Sequence, residues 1–233
     1  MSEPFIKDQC FVLKRVPCND KDAYIVLFGK QIGKQVALAK GVGKNSSKLS
    51  ALLEIGNLLE VELLTGNAGI KLISCQQIEG YTYRFSSYEA LLTSVYLCEL
   101  VDAGMEKADN DKAVYELLDK SLASMQDDNI AEIRLLFECK FLNILGYGAY
   151  TPDNISECLR VLPKASEQLT ALDEIIMFIS ITAGNEGMIE NCRLSKEARS
   201  LLRRMTRLDL QRRAELKIAS AKILDDATRK FYS

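Results

Sequence analysis

An α+β chain, with a five-stranded barrel at its N-terminus and an all-helical domain after it, is predicted by three features of the 233 residues. From Gln9 to about Phe85 the apolar residues come in short runs broken by Gly, Pro, Asn and Asp clusters, the pattern of strands joined by tight turns. After Phe85 the apolar spacing becomes that of helices. The stretch from Leu194 to about Ala227 then contains neither Gly nor Pro.

The strand runs are Gln9–Val16, Ala23–Phe28, Gln35–Lys40, Asn57–Thr65 and Ile70–Cys75, rich in apolar and β-branched residues. Pro17–Asp20, Gly29–Gly33, Gly41–Ser50 and Gly66–Gly69 separate them with turn chemistry. Five short strands in so few residues suit a small closed barrel, and the OB-fold, which often binds nucleic-acid strands, is the member of that class with five. The barrel is assigned to residues 1–80 and the helical domain to 81–233.

The first helix is read over Ser86–Val101, with serine caps and Gly104 as its stop; Asp111–Met125 and Ile130–Leu145 follow. Thr151–Asn154 reads as a loop, Pro163 interrupts a short helical piece, and a longer apolar helix lies within Gln168–Thr182. In the last segment, Leu194, Ala198, Leu201, Met205 and Leu208 fall within about 40° of one direction at 100° per residue. Lys196, Arg199, Arg203 and Arg207 fall within about 40° of the opposite one. Ser195 is the expected N-cap, with Glu197 in the first turn where the helix dipole favours an acid. Tyr81, Tyr83 and Phe85, with Tyr24 and Phe28, are read first as filling between barrel and helices and second as stacking surfaces for bases.

The net charge of −2 conceals two basic ends. Residues 1–53 hold nine Lys/Arg against four Asp/Glu, residues 54–191 nine against 23, and residues 192–233 twelve against five. Such asymmetry points to a polyanion at the ends. Seven scattered cysteines without a CxxC pair, and no histidine, argue against a disulfide framework, a zinc site and a histidine general base. No apolar run reaches the ~18 residues of a membrane span, and the acidic start lacks a signal-peptide pattern. A cytoplasmic, nucleoid-associated protein is the expectation.

Between the third strand and the next apolar run, Ala37–Glu54 gathers Lys40, Lys44 and Lys48 with Gly41, Gly43 and Ser46, Ser47 and Ser50. Cations on a bendable segment neutralise phosphates and release counterions. Lys40, Lys44, Lys48 and one arginine of the last segment, each on one phosphate, predict about 50-fold weaker single-strand binding between about 50 and 200 mM salt. The run is not a nucleotide-hydrolysing loop: Leu38 and Asn45 stand where a Walker motif needs Gly and Ser/Thr.

Taken in order, Asn19–Phe28, the Gly33–Gly41 run, the basic Ser/Lys loop after it and Leu145-Gly-Tyr147 resemble the bacterial recombination-repair family RecO. The resemblance spans residues 9 to about 150 and implies an OB-fold before a helical domain. It also implies binding of single- and double-stranded DNA, annealing of complementary strands, and work with RecR and the C-terminal tail of single-stranded-DNA-binding protein to load RecA, without nucleotide hydrolysis or a cofactor. Asp22 takes the family's acidic place, Lys40 and Gly41 its Lys-Gly pair, and Lys44 and Lys48 further basic places, whereas Gly43 and Ser46 replace frequent cations. The four-cysteine zinc module of many members is missing from residues 151–192. The family's usual Lys-Ser-Arg-type ending is missing too.

The candidate DNA-binding residues are therefore Lys14, Arg15, Lys34, Lys40, Lys44 and Lys48 on the barrel side, with Arg199, Arg203, Arg204 and Arg207 in the last helix. For the partner tail, Arg134 and Lys140 beside Phe137 and Phe141 are the candidate groove, a cation next to apolar surface. The rival readings are an RNA- or tRNA-binding accessory protein and a protein-interaction scaffold.

Overall fold

The computed structural model describes residues 5–42, 48–147, 166–184, 193–212, 214–216 and 218–220. Five strands form the first part: β1 (Phe5–Pro17), β2 (Ala23–Gly29), β3 (Gly33–Ala39), β4 (Leu58–Gly66) and β5 (Gly69–Glu79), with the short helix α1 (Lys48–Leu52) between β3 and β4. They close into a barrel in the order β1-β2-β3-β5-β4. All pairings are antiparallel except β3 with β5, which closes the barrel through Ala37↔Ile70 and Leu38↔Lys71. This is the predicted OB barrel.

Alternation fills it. Cys10 and Val12, Ile25 and Leu27, Ala37 and Ala39, and Leu59, Val61 and Leu63 are buried together, and Leu49 and Leu52 of α1 pack against them. The carboxylate of buried Asp8 accepts the amides of Gln31 at 2.8 Å and Ile32 at 2.9 Å, fixing the β2–β3 turn. A bulge between Val12 and Lys14 sets the rest of β1: Lys14 pairs with Val26, and Arg15 lies opposite core residue Ile25.

After a 3-10 turn at Tyr81–Arg84 come α2 (Tyr88–Gly104) and α3 (Lys112–Ser124). Ser87 caps α2 by accepting the Ala90 amide, and Asp111 accepts the Ala113 and Val114 amides at the start of α3. Residues up to Ala123, with those from Ile218 on, form one compact unit. The cross-strand pair Phe11 and Phe28 on the outside of the barrel is buried, and Tyr115 of α3 lies 5.1 Å from the first ring and 6.2 Å from the second. Tyr81 stacks on Phe11. Of the aromatics read as filling, Tyr81 and Phe28 take that place, Tyr24 is exposed, and the side chain of Tyr83 lies outside the described residues. Gly33 has φ +64°, and a Cβ there would meet the Asp109 carbonyl at 2.2 Å. That closeness lets Lys34 exchange backbone bonds with Asp109 and Ala108.

The second compact unit, Ser124–Lys217, contains α4 (Ile130–Ile144), α5 (Ser166–Gly184) and α6 (Lys196–Arg212). Ser195 accepts the Ala198 amide as the expected cap of α6. The helix stops at Arg212, within the stretch that lacks Gly and Pro. Glu215 turns into the left-handed region (φ +52°), and the amides of Ala214 and Leu216 close on Asp209 and Leu210. The turn uses neither Gly nor Pro, so the sequence carries no stop signal there.

Candidate nucleic-acid interface

The bulge in β1 decides which cations face out. On the outer side of β1, β2 and β3, the end carrying Phe11 and Phe28 is covered, while the other end is open. There Val16 lies opposite Tyr24, Tyr24 opposite Leu38, and Leu38 opposite Lys71 of β5, making one row across four strands. Val16, Tyr24 and Val36 are 41%, 44% and 40% exposed. Lys14 pairs with Val26 and Val26 with Val36 in the neighbouring row. Exposed Lys40 follows β3 at its open end. The surface is an aromatic ring on an apolar strip with lysines around it, and this is the composition of a single-strand platform.

Beside Lys40 stands Asp22. Its carboxylate accepts the Gly41 amide at 3.0 Å, and this bond, ahead of the Asn19 side chain and the charges of Lys40 and Lys21, holds it below the usual carboxylate range.

The predicted barrel cations separate into two sets. Lys14 and Lys40 reach the open face, although Lys14 also lies 3.7 Å from Asp102. Arg15 turns into the barrel, and Lys34, opposite Phe28 on the outer side, is covered by α2. Lys34 is largely buried, pairs with Asp102 at 2.8 Å and donates to the carbonyls of Asp102 and Met105 at the end of α2. Its task is to fasten the barrel to the helix, a placement that favours a cation at a helix C-terminus. Arg15 donates to Ser50 and to the Val42 carbonyl. Lys44 lies outside the described residues, as does the side chain of Lys48, whose backbone opens α1. Lys71 is absent from the predicted site, and Tyr24 enters it only through the second, base-stacking reading of the aromatics. Strand pairing brings them to it, and the one signal for Tyr24 in the sequence was its place as an aromatic on the second strand.

In α6 the buried stripe is Leu194, Ala198, Leu202, Thr206 and Leu210, while Leu208 is exposed. The helix is rotated by about 80° from the predicted face, and the cause is a pair of buried acids on α4. Glu132 accepts from Arg199 at 3.0 Å and from the Leu194 amide. Glu138 pairs with Arg134 at 2.8 Å and accepts from the Thr206 hydroxyl. Unpaired carboxylates at these depths would be costly. Arg199 and Arg203 are consequently half-buried, and among the described side chains of the helix Lys196, Arg204 and Arg207 are the exposed cations.

The candidate partner groove is corrected on the same ground. Phe137 and Phe141 stack at 5.5 Å with no exposed surface, and Arg134 is 4% exposed and committed to Glu138. They are core, and only Lys140 of the four is half-buried. Among the described residues no group of three or more His, Cys, Asp or Glu comes together as a metal site. Among them, too, no helix is long and apolar enough to cross a membrane.

Comparison with known proteins bears on the chain from end to end. Residues 1–81 match the family description "Recombination protein O N terminal", and residues 86–233 match "Recombination protein O C terminal". Three relatives are named DNA repair protein RecO. That of Clostridium novyi is 26% identical over 61% of this chain and 56% of its own length, and that of Dehalococcoides mccartyi 28% over 63% and 59%. The protein of Geobacter metallireducens is 26% identical over 73% and 70%. The chain thus spans less than two thirds of the length of the first two.

Proposed function

The chain belongs to the recombination protein O (RecO) family, and from that premise we propose that it is a DNA-repair protein that binds single-stranded DNA across the open end of the β1–β2–β3 face. One observation carries the reading. On a closed five-stranded barrel, the row Val16–Tyr24–Leu38–Lys71 is left uncovered between Lys14 and Lys40. Bases stack on Tyr24 without regard to sequence, and the lysines take the phosphates.

The exposed Lys196, Arg204 and Arg207 of α6 offer a second cationic surface. Two strands held on separate cationic surfaces have their mutual repulsion screened, so complementary bases pair without nucleotide hydrolysis. We assign to the chain the annealing of complementary strands, binding of duplex as well as single-stranded DNA, and assistance to RecA loading with RecR and single-stranded-DNA-binding protein. The reading needs no cofactor and no catalytic step.

The test is the salt dependence of binding to a labelled single-stranded oligonucleotide. Phosphate contacts by Lys14, Lys40 and Lys71 predict a log–log slope near −2, about a 20-fold loss between about 50 and 200 mM salt. Lys40→Ala makes the slope shallower by about 0.7. A salt-independent affinity, or a slope unmoved by Lys40→Ala, contradicts the reading. Tighter binding of RNA of equal length would instead favour the RNA-binding alternative.

A further inference from the structure

We propose that Asp22 and Arg15 form a latch that holds the two flanks of the β3–α1 connection in position for nucleic acid. An acid inside the interface then strengthens binding, and an arginine there acts without touching phosphate. The inference rests on the DNA-binding reading above.

Arg15 lies opposite Ile25 because of the bulge, so its side chain enters the end of the barrel and is only 23% exposed. One amino group of its guanidinium donates to the Ser50 hydroxyl at 2.9 Å and the Ser50 carbonyl at 3.4 Å; the other donates to the Val42 carbonyl at 2.5 Å. Val42 ends the passage out of β3 and Ser50 lies in α1, so one planar fork bridges both sides of residues 43–49. The point charge of a lysine does not offer this geometry.

Asp22 secures the same flank one residue earlier. Its Oδ1 accepts the Gly41 amide at 3.0 Å, and its Oδ2 accepts from Asn19 at 3.2 Å. Asn19 in turn accepts the amides of Lys21 and Asp22 at 2.8 Å, so the carboxylate is itself held. The bond arrives where Gly41 takes φ +74°, a conformation that defines where the chain goes after Lys40. Charge counting alone assigns Asp22 the opposite effect, because it stands beside Lys40 and Lys21 and offsets them. The two accounts therefore differ in sign.

The experiment measures single-stranded oligonucleotide affinity of the full chain by fluorescence anisotropy at several salt concentrations. Asp22→Ala adds a net positive charge yet is expected to bind about tenfold more weakly, the scale of ordering one backbone residue, with the salt slope unchanged. Asp22→Asn keeps an acceptor for the Gly41 amide and is expected to recover at least wild-type affinity. Arg15→Ala weakens binding to a similar degree at constant slope, and Arg15→Lys does not restore it. Tighter binding by Asp22→Ala overturns the latch, as does a slope made shallower by about 0.7 in Arg15→Ala, the mark of a lost phosphate contact. Amide hydrogen exchange reads the latch without DNA: Gly41 is protected in the wild type and loses protection in Asp22→Ala. An unprotected wild-type Gly41 overturns the latch, whereas failure of the wild type to bind DNA overturns only the function on which it is built.

Discussion

Replacing Tyr115 by Phe removes one oxygen from the seam between barrel and helices, and the structure predicts that this stabilises the protein. Tyr115 is 4% exposed, its ring lies against Phe11 and Phe28, and its hydroxyl has no hydrogen-bond partner among the described residues. A buried hydroxyl without a partner costs about 1–3 kcal/mol, so its removal should gain about 1 kcal/mol once some relaxation is allowed. Tyr81 occupies the other side of Phe11 and is 5% exposed, but its hydroxyl donates to Asp119 at 2.8 Å. The same substitution there should cost about 1.5 kcal/mol, the low end for a bond to a charged group, since Asp119 is half-buried. The two variants are therefore separated by about 2–3 kcal/mol, or about 5–10 °C in thermal midpoint. Their titration adds a second readout. Burial first, and then the charge of Asp119, raises both phenols above the ordinary value of 10, with the Asp119 hydrogen bond adding to the effect on Tyr81. A raised folded value means that the neutral form is favoured on folding. The contribution is complete below pH 10 and disappears as pH rises through the folded value. Wild-type stability should fall on that alkaline side, and Tyr115→Phe should fall less steeply. Equal destabilisation by Tyr115→Phe and Tyr81→Phe in thermal or urea melts would refute the reasoning.

Gly33→Ala must adopt a left-handed backbone and place its methyl against the Asp109 carbonyl, so urea unfolding should show a loss of at least about 3 kcal/mol. Thiol labelling should separate the described cysteines by depth: exposed Cys18 reacts before half-buried Cys75. Cys10, Cys98 and Cys139 react only on unfolding, because burial raises their thiols, that of Cys98 to about 12.

Much of the fold was legible because it follows from periodicity. Each of the five strand runs appears as a strand, and the helices at Tyr88, Lys112, Ile130 and Ser166 begin within about two residues of their predicted starts. What was not legible depends on pairing between distant residues. The inward turn of Arg15 follows from a bulge that no turn residue announces, and the covering of Lys34 by α2 from an acid 68 residues away. The rotation of α6 follows from Glu132 and Glu138, which a reading of α4 alone assigns to no partner. Tyr24 shows the limit from the other side. An aromatic on the second strand is more often filling, and only the extent of the α2–α3 cover leaves this one open while Phe28, four residues on, is sealed.

The most direct test of the open face as a nucleic-acid platform is the affinity of Tyr24→Ala and Tyr24→Phe for one single-stranded oligonucleotide at fixed salt. Tyr24→Phe should bind as the wild type does, because the ring remains, and Tyr24→Ala should lose about 1–3 kcal/mol, between about 5- and 150-fold. If Tyr24→Ala binds as tightly as the wild type, the strand does not cross this face.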